Sequence, residues 1–129
     1  MTSNGCKKEE GEDGMERWMS RPDMKPVITG IYDPVGKRSD GTVTSQAPVV
    51  ITGRHFDRFD EKNIRLCLIP ATDYEQLIEV AQVYKLVPDR VIVSLPSLRP
   101  GKYFPAVEMF HEGEGTAVFI FPFSCVVLP

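Results

Sequence analysis

The sequence predicts an all-β domain, an antiparallel Greek-key sandwich of about seven strands. Three observations predict it. Short runs rich in Val, Ile, Leu, Phe and Tyr recur from Pro26 to the end of the chain. The eleven prolines fall between those runs rather than in a low-complexity tract. Helical periodicity is nearly absent.

The elements follow in order. Val27, Ile28, Ile31 and Tyr32 form a first short strand. Asp33-Pro34 and Ser39-Asp40-Gly41 carry turn chemistry, because Asp and Ser cap backbone amides, Pro fixes φ and Gly accepts positive φ. Val49-Val50-Ile51-Thr52 is a β-branched run closed by Gly53. From Ile64 to Ile69 residues alternate: Ile64, Leu66 and Leu68 face one way, Arg65, Cys67 and Ile69 the other, and Pro70 ends the strand. Residues 71–85 are ambiguous. Tyr74, Leu77, Ile78 and Ala81 stand at helical spacing, yet Ile78, Val80 and Val83-Tyr84 suit an edge strand, and a short strand inside a longer connection is the expectation. Val91-Ile92-Val93-Ser94-Leu95 is a clear strand. Leu98-Arg99-Pro100-Gly101-Lys102-Tyr103 is a turn into a strand carrying Tyr103, Ala106-Val107 and Met109-Phe110, and His111 to Gly115 reads as a hairpin loop. One long apolar strand, Thr116 to Leu128, completes the set. About seven short strands with turn signals between them are the pattern of an immunoglobulin-like sandwich.

Length and composition bound the function. The 129 residues suffice for one domain with a proper core. A net charge of -3, from 15 basic and 18 acidic residues, argues against nucleic-acid binding by this chain alone, since phosphate contacts call for a basic excess on one face. No stretch approaches the roughly 20 apolar residues of a membrane helix. Cys67 and Cys125 lie inside apolar runs and are expected as buried free thiols, with a disulfide as the alternative.

Chemistry-bearing constellations are sparse. Nucleophilic catalysis needs a Ser or Cys beside a His with an orienting carboxylate, and the only histidines are His55 and His111, both in turn contexts. His111 with Glu112 and Glu114, or Asp57 with Asp60 and Glu61, has the residue types of a weak cation site, but solvated loop charge is the simpler reading. Arg38, Arg54, Arg58, Arg65 and Lys37 with Phe56 and Phe59 have the composition of a basic patch, against which stands the reading of scattered turn charges. Phe119, Phe121 and Phe123 alternate at period two and are expected to share one face of the last strand in the core, with a ligand platform or partner edge as the alternative. Tyr103, near its strand start, fits a corner tyrosine whose hydroxyl ties back to the backbone. No catalytic residue, metal ligand or cofactor is expected, and the chain reads as a non-enzyme.

Several segments taken together resemble a known family. Pro26-Val27-Ile28-Thr29-Gly30, Asp33, Gly36 to Thr44, then Val50-Ile51-Thr52-Gly53 resemble the start of a bacterial Ig-like domain of unknown function. The stretch Val91 to Tyr103, with Leu95-Pro96, Leu98 and Pro100-Gly101, fits the same pattern, as does a last strand holding Phe121-Pro122 and ending in Val126 to Leu128. In that family the domain usually follows a histone-like (HU-type) DNA-binding domain. The resemblance implies an accessory binding module; the DNA-binding part has no counterpart in this chain. One departure is Ser45-Gln46-Ala47-Pro48, which stands where a Gly-rich turn is typical.

Residues 1–25 are expected to form a flexible leader ahead of a domain at 26–129, with Trp18 and Met19 as a bulky apolar pair that either frays or docks. Gly5-Cys6-Lys7-Lys8-Glu9-Glu10 resembles the start of a mature bacterial lipoprotein, which makes Cys6 a candidate lipidation site. The functional expectation is a non-catalytic interaction module, cytoplasmic, acting on a protein partner or on itself. The alternative is a lipid-anchored envelope module that binds protein or glycan.

Overall fold

The computed structural model describes residues 25–111, 113 and 115–129. In chain order its strands are β1 (Val27–Tyr32), β2 (Thr42–Val43), β3 (Pro48–Arg54), β4 (Ile64–Pro70), β5 (Ile78–Glu79), β6 (Gln82–Val87), β7 (Arg90–Ser94), β8 (Gly101–His111), β9 (Gly115–Ile120) and β10 (Cys125–Val127). Single 3₁₀ turns at Phe56–Arg58 and Glu61–Asn63 join β3 to β4. The leader at 1–25, apart from Lys25, and the Cys6 motif lie outside the described residues.

Two sheets face each other. The smaller runs β1-β3-β7-β6, and the larger runs β2-β10-β8-β4-β5, with β9 also paired to β8. This is the partition of an immunoglobulin-like sandwich, with consecutive strands shared between sheets in Greek-key fashion. Val49, Val91 and Val93 from the small sheet meet Leu68, Val107 and Met109 from the large one in a single core. The two edge strands of the small sheet each carry a register shift, at Ile28/Gly30 in β1 and at Val83/Lys85 in β6. Such bulges twist an edge away from unwanted pairing.

Three local features lock the frame. Gly53 lies so close to β1 that an added Cβ would overlap the Val27 carbonyl and stand 2.7 Å from the Phe56 ring. Asp33 is 1% exposed and closes the turn after β1. Its carboxylate accepts from the Val35 amide at 3.0 Å and the Thr44 hydroxyl at 2.7 Å, while Asp33 and Arg38 exchange backbone hydrogen bonds. The Tyr103 hydroxyl donates to the Arg99 carbonyl at 2.6 Å, which is the corner tyrosine expected from the sequence.

Among the described residues the strand count is ten rather than about seven, for identifiable reasons. β2 and β5 are two-residue strands, too short to leave a periodic trace. The region at 71–85 holds two strands, β5 and β6, instead of one. The expected single strand Thr116 to Leu128 is interrupted at 121–124: β9 pairs with residues 106–111 of β8, and β10 pairs with residues 101–103. The Phe121 amide still donates to the Pro105 carbonyl at 2.9 Å, but Pro122 has no amide to continue the ladder. Phe119, Phe121 and Phe123 pack on the core as expected, although only Phe119 sits in a strand.

Candidate interaction surface

Successive residues of a strand point to opposite faces, so β8 supplies both the core and an outer surface. Tyr103, Val107 and Met109 enter the core. Phe104, Ala106, Glu108 and Phe110 therefore face outward. The cross-strand partners of these four are Ile69, Cys67 and Arg65 on β4 and Ile120, Val118 and Thr116 on β9. An antiparallel sheet with one solvated face normally alternates apolar inside and polar outside. Here Phe104, Phe110, Val118 and Ile120 break that rule, while Ile69, Cys67 and Ala106 on the same side are themselves buried. Val118 and Ile120 stay 39% and 47% exposed, and the exposed Tyr74 ring packs 6.1 Å from Phe104.

A charged pair, Arg65 and Glu108, crosses this apolar field. The Arg65 guanidinium reaches Glu108 at 3.5 Å and Glu79 at 3.8 Å, and lies 5.1 Å from the centre of the Phe110 ring. Its charge is offset by two carboxylates, while its planar face rests on an aromatic one. Cys67 sits beneath this cluster. Burial, then the neighbouring Glu108 carboxylate, pushes its thiol up to about 11. Burial does the same for Cys125, also to about 11. Both thiols are free and buried, as expected, and neither has the lowered pKa of a nucleophile.

The other residues singled out in the sequence take structural places. Phe56 and Phe59 are buried in the core with Phe121, so they are not exposed rings interleaved with arginines. Arg58 pairs with Asp57 at 3.7 Å, Arg38 belongs to the Asp33 turn, and Arg65 is held between two glutamates. Asp60 caps the second 3₁₀ turn by accepting from the Lys62 amide at 3.2 Å and from Asn63 Nδ2 at 2.7 Å. His55 occupies a left-handed position, φ 66°, before the first 3₁₀ turn. Glu112, Glu114 and the side chain of His111 lie outside the described residues. Among the described residues no group of three His, Cys, Asp or Glu side chains is placed to hold a metal ion. No described helix is long and apolar enough to cross a membrane.

Between the sheets lies an apolar void of about 50 Å³, far below the ~300 Å³ of a small ligand site. The outer face of β4, β8 and β9 was not singled out in the sequence. The signal for it was present: Tyr103-Phe104, Ala106-Val107 and Met109-Phe110 are apolar doublets, and a doublet on a strand fills both faces.

Comparison with known proteins gives a family. The model of a domain of unknown function (DUF4469) with Ig-like fold matches residues 27–113, in line with the resemblance noted above. Among solved structures, a protein from Bacteroides vulgatus proposed to bind DNA shares 20% identity at a TM-score of 0.62, over 84% of this chain and 50% of that one. The chain thus spans half the length of that neighbour. CopC from Methylosinus trichosporium shares 10% identity at a TM-score of 0.43, over 81% of this chain and 95% of that one. PcoC, a methionine-rich copper resistance protein from Escherichia coli, shares 13% at 0.39, over 79% and 97%. The last two superpose too loosely to carry an argument. Comparison with curated proteins finds no match.

Proposed function

The chain belongs to the family of domains of unknown function (DUF4469) with Ig-like fold, and from that premise we propose that it acts as a non-catalytic interaction domain whose partner is a protein. The observation that carries this reading is the outward apolar surface of β4, β8 and β9. Four outward side chains there, Phe104, Phe110, Val118 and Ile120, are large and apolar and only partly covered. A solvated sheet face has no use for them, whereas a protein interface is built around such a centre with a polar surround. Arg65, lying over the Phe110 ring and paired with two carboxylates, is the type of side chain enriched at interface centres.

The Bacteroides neighbour raises DNA as a second partner. The charge speaks for protein: the net charge is -3, and the guanidinium on the apolar face is already engaged by two carboxylates. DNA association by a longer protein of this kind would then come from another part of it, with this domain holding a protein neighbour.

The test is site-specific photo-crosslinking in the native cells. A benzophenone side chain is placed at Val118 and, separately, at Tyr84 on β6 of the opposite sheet. Tyr84 is 57% exposed against 39% for Val118, so accessibility alone favours adducts at Tyr84. The proposal expects discrete protein adducts from Val118 and none from Tyr84; the reverse pattern refutes it.

A further inference from the structure

A second apolar feature adjoins that face and shares Ile120 with it, where β1 begins beside the end of β9. A groove there is lined by Pro26, Val27 and Ile28 on one side and Ile120, Pro122 and Phe123 on the other, with Lys25 at its rim. Val27 is 36% exposed, although it opens a strand whose inward residues are core.

We propose that this groove is the docking site for the chain's own preceding segment, with the Trp18 indole as its occupant. The argument begins with connectivity. Lys25 and Pro26 belong to the groove, so whatever precedes them leaves from its rim. Trp18 stands seven residues before Lys25, which allows a reach of up to about 25 Å at ~3.5 Å per extended residue. A tether that short gives an effective concentration of the order of millimolar, far above that of a second copy or of a dilute partner.

Composition points to the same residue. Between Met1 and Met15 the sequence holds only Thr, Ser, Asn, Gly, Cys6 and charged residues, and the large apolar residues that precede Lys25 after Met1 are Met15, Trp18, Met19 and Met24. They gather within ten residues of the rim. The groove's chemistry suits an aromatic ring: prolines and branched aliphatics give flat contacts, and Lys25 stands at the rim where its ammonium can face the ring's π-surface. An indole buries a large apolar area and keeps one N–H that can point to water. The groove shares Ile120 with the outer face of β4, β8 and β9, but Pro26, Val27, Ile28, Pro122 and Phe123 lie outside that face, so substitutions at Val27 and Pro122 test this proposal separately from the protein-partner reading.

Trp18 is the only tryptophan in the chain, so intrinsic fluorescence reports this residue alone. The expected result is an emission maximum shifted to shorter wavelength than in denaturant, with acrylamide quenching several-fold slower, and both unchanged on dilution. Val27→Glu places a carboxylate in the groove and is expected to move emission and quenching to the values of the unfolded chain, while the far-ultraviolet β-sheet spectrum persists. Should Val27→Glu perturb folding, Pro122→Glu makes the same test from a loop. Emission identical in native and denatured protein overturns the proposal. So does a blue shift that survives both substitutions, or one that vanishes on dilution, which assigns the groove to a second copy.

Discussion

Asp33 is the one buried charged residue among those described, and Asp33→Ala is the sharpest test of how the frame is held. The carboxylate accepts two hydrogen bonds, from the Val35 amide and the Thr44 hydroxyl. A hydrogen bond to a charged acceptor contributes about 1.5–3 kcal/mol, so two give about 3–6 kcal/mol. Removing the carboxylate also removes its own desolvation cost, which offsets part of that sum. A net loss of about 3 kcal/mol is expected, a large share of the ~5–15 kcal/mol that stabilises a domain. At ~4–8 °C per kcal/mol for a domain near 100 residues, Tm should fall by about 12–24 °C. Asp33→Asn keeps an acceptor for Val35 and a side chain able to meet the Thr44 hydroxyl, and should cost about half as much. The assay is urea unfolding of the two variants, of Thr44→Val and of the Asp33→Ala/Thr44→Val pair, read as a double-mutant cycle. Coupling of about 1 kcal/mol or more is expected between the two positions. A loss below about 1 kcal/mol for Asp33→Ala, or no coupling, would refute the idea that this carboxylate ties the first turn to the start of the second sheet.

Gly53→Ala drives a methyl into the Val27 carbonyl and the Phe56 ring. It should cost about 3 kcal/mol or more in urea unfolding, with the loss of exchange protection concentrated in β1. Tyr103→Phe removes the hydroxyl that satisfies the Arg99 carbonyl and should cost about 1–2 kcal/mol, leaving the spectrum of the folded state unchanged. Both described thiols sit at about 11, above the ordinary value of 9.0. Between pH 9 and 11 the unfolded chain therefore holds fewer protons than the folded one, so folding stability falls as pH rises through that window and is at its full value below it. A series of unfolding midpoints from pH 8 to 11 checks the sign, with the Cys67→Ala/Cys125→Ala double variant as the flattened control. At pH 8 native Cys67 and Cys125 should resist alkylation until the domain opens.

The fold was legible where side-chain patterning is local. β3, β4 and β7 are β-branched or alternating runs closed by Gly or Pro, and Tyr103 announced its corner by standing just after Pro100-Gly101. The segment from Tyr74 to Ala81 was not legible, because its apolar spacing suits a helix. Its outcome is decided by distant partners, among them the Leu66 carbonyl that accepts from Val80 and the Ser94 carbonyl that accepts from Ala81. The split of β9 from β10 depends on β8 being long enough to seat both on one edge, which no local window contains. The arginines had the composition of a patch in the sequence, with scattered turn charges as the simpler reading. Tertiary structure sends Arg65 to the outer face of the large sheet and Arg38 to the first turn, and buries the two phenylalanines between them.

The candidate surface was hidden for a related reason. Apolar doublets on β8 read as a strong strand signal, and a fully buried strand gives the same signal as one whose second face is covered by no other sheet. Pairing decided it: β8 lies between β4 and β9, and the opposite sheet covers only its inner face.

The central claim is that this outer face is where a protein partner sits. Hydrogen–deuterium exchange of the domain, alone and with the partner captured through Val118, tests it most directly. The account predicts slowed exchange of amides at 104–110 and 116–120, with β1, β3, β6 and β7 unchanged. Protection confined to the small sheet or to the Asp33 turn, with β8 and β9 unaltered, would contradict it.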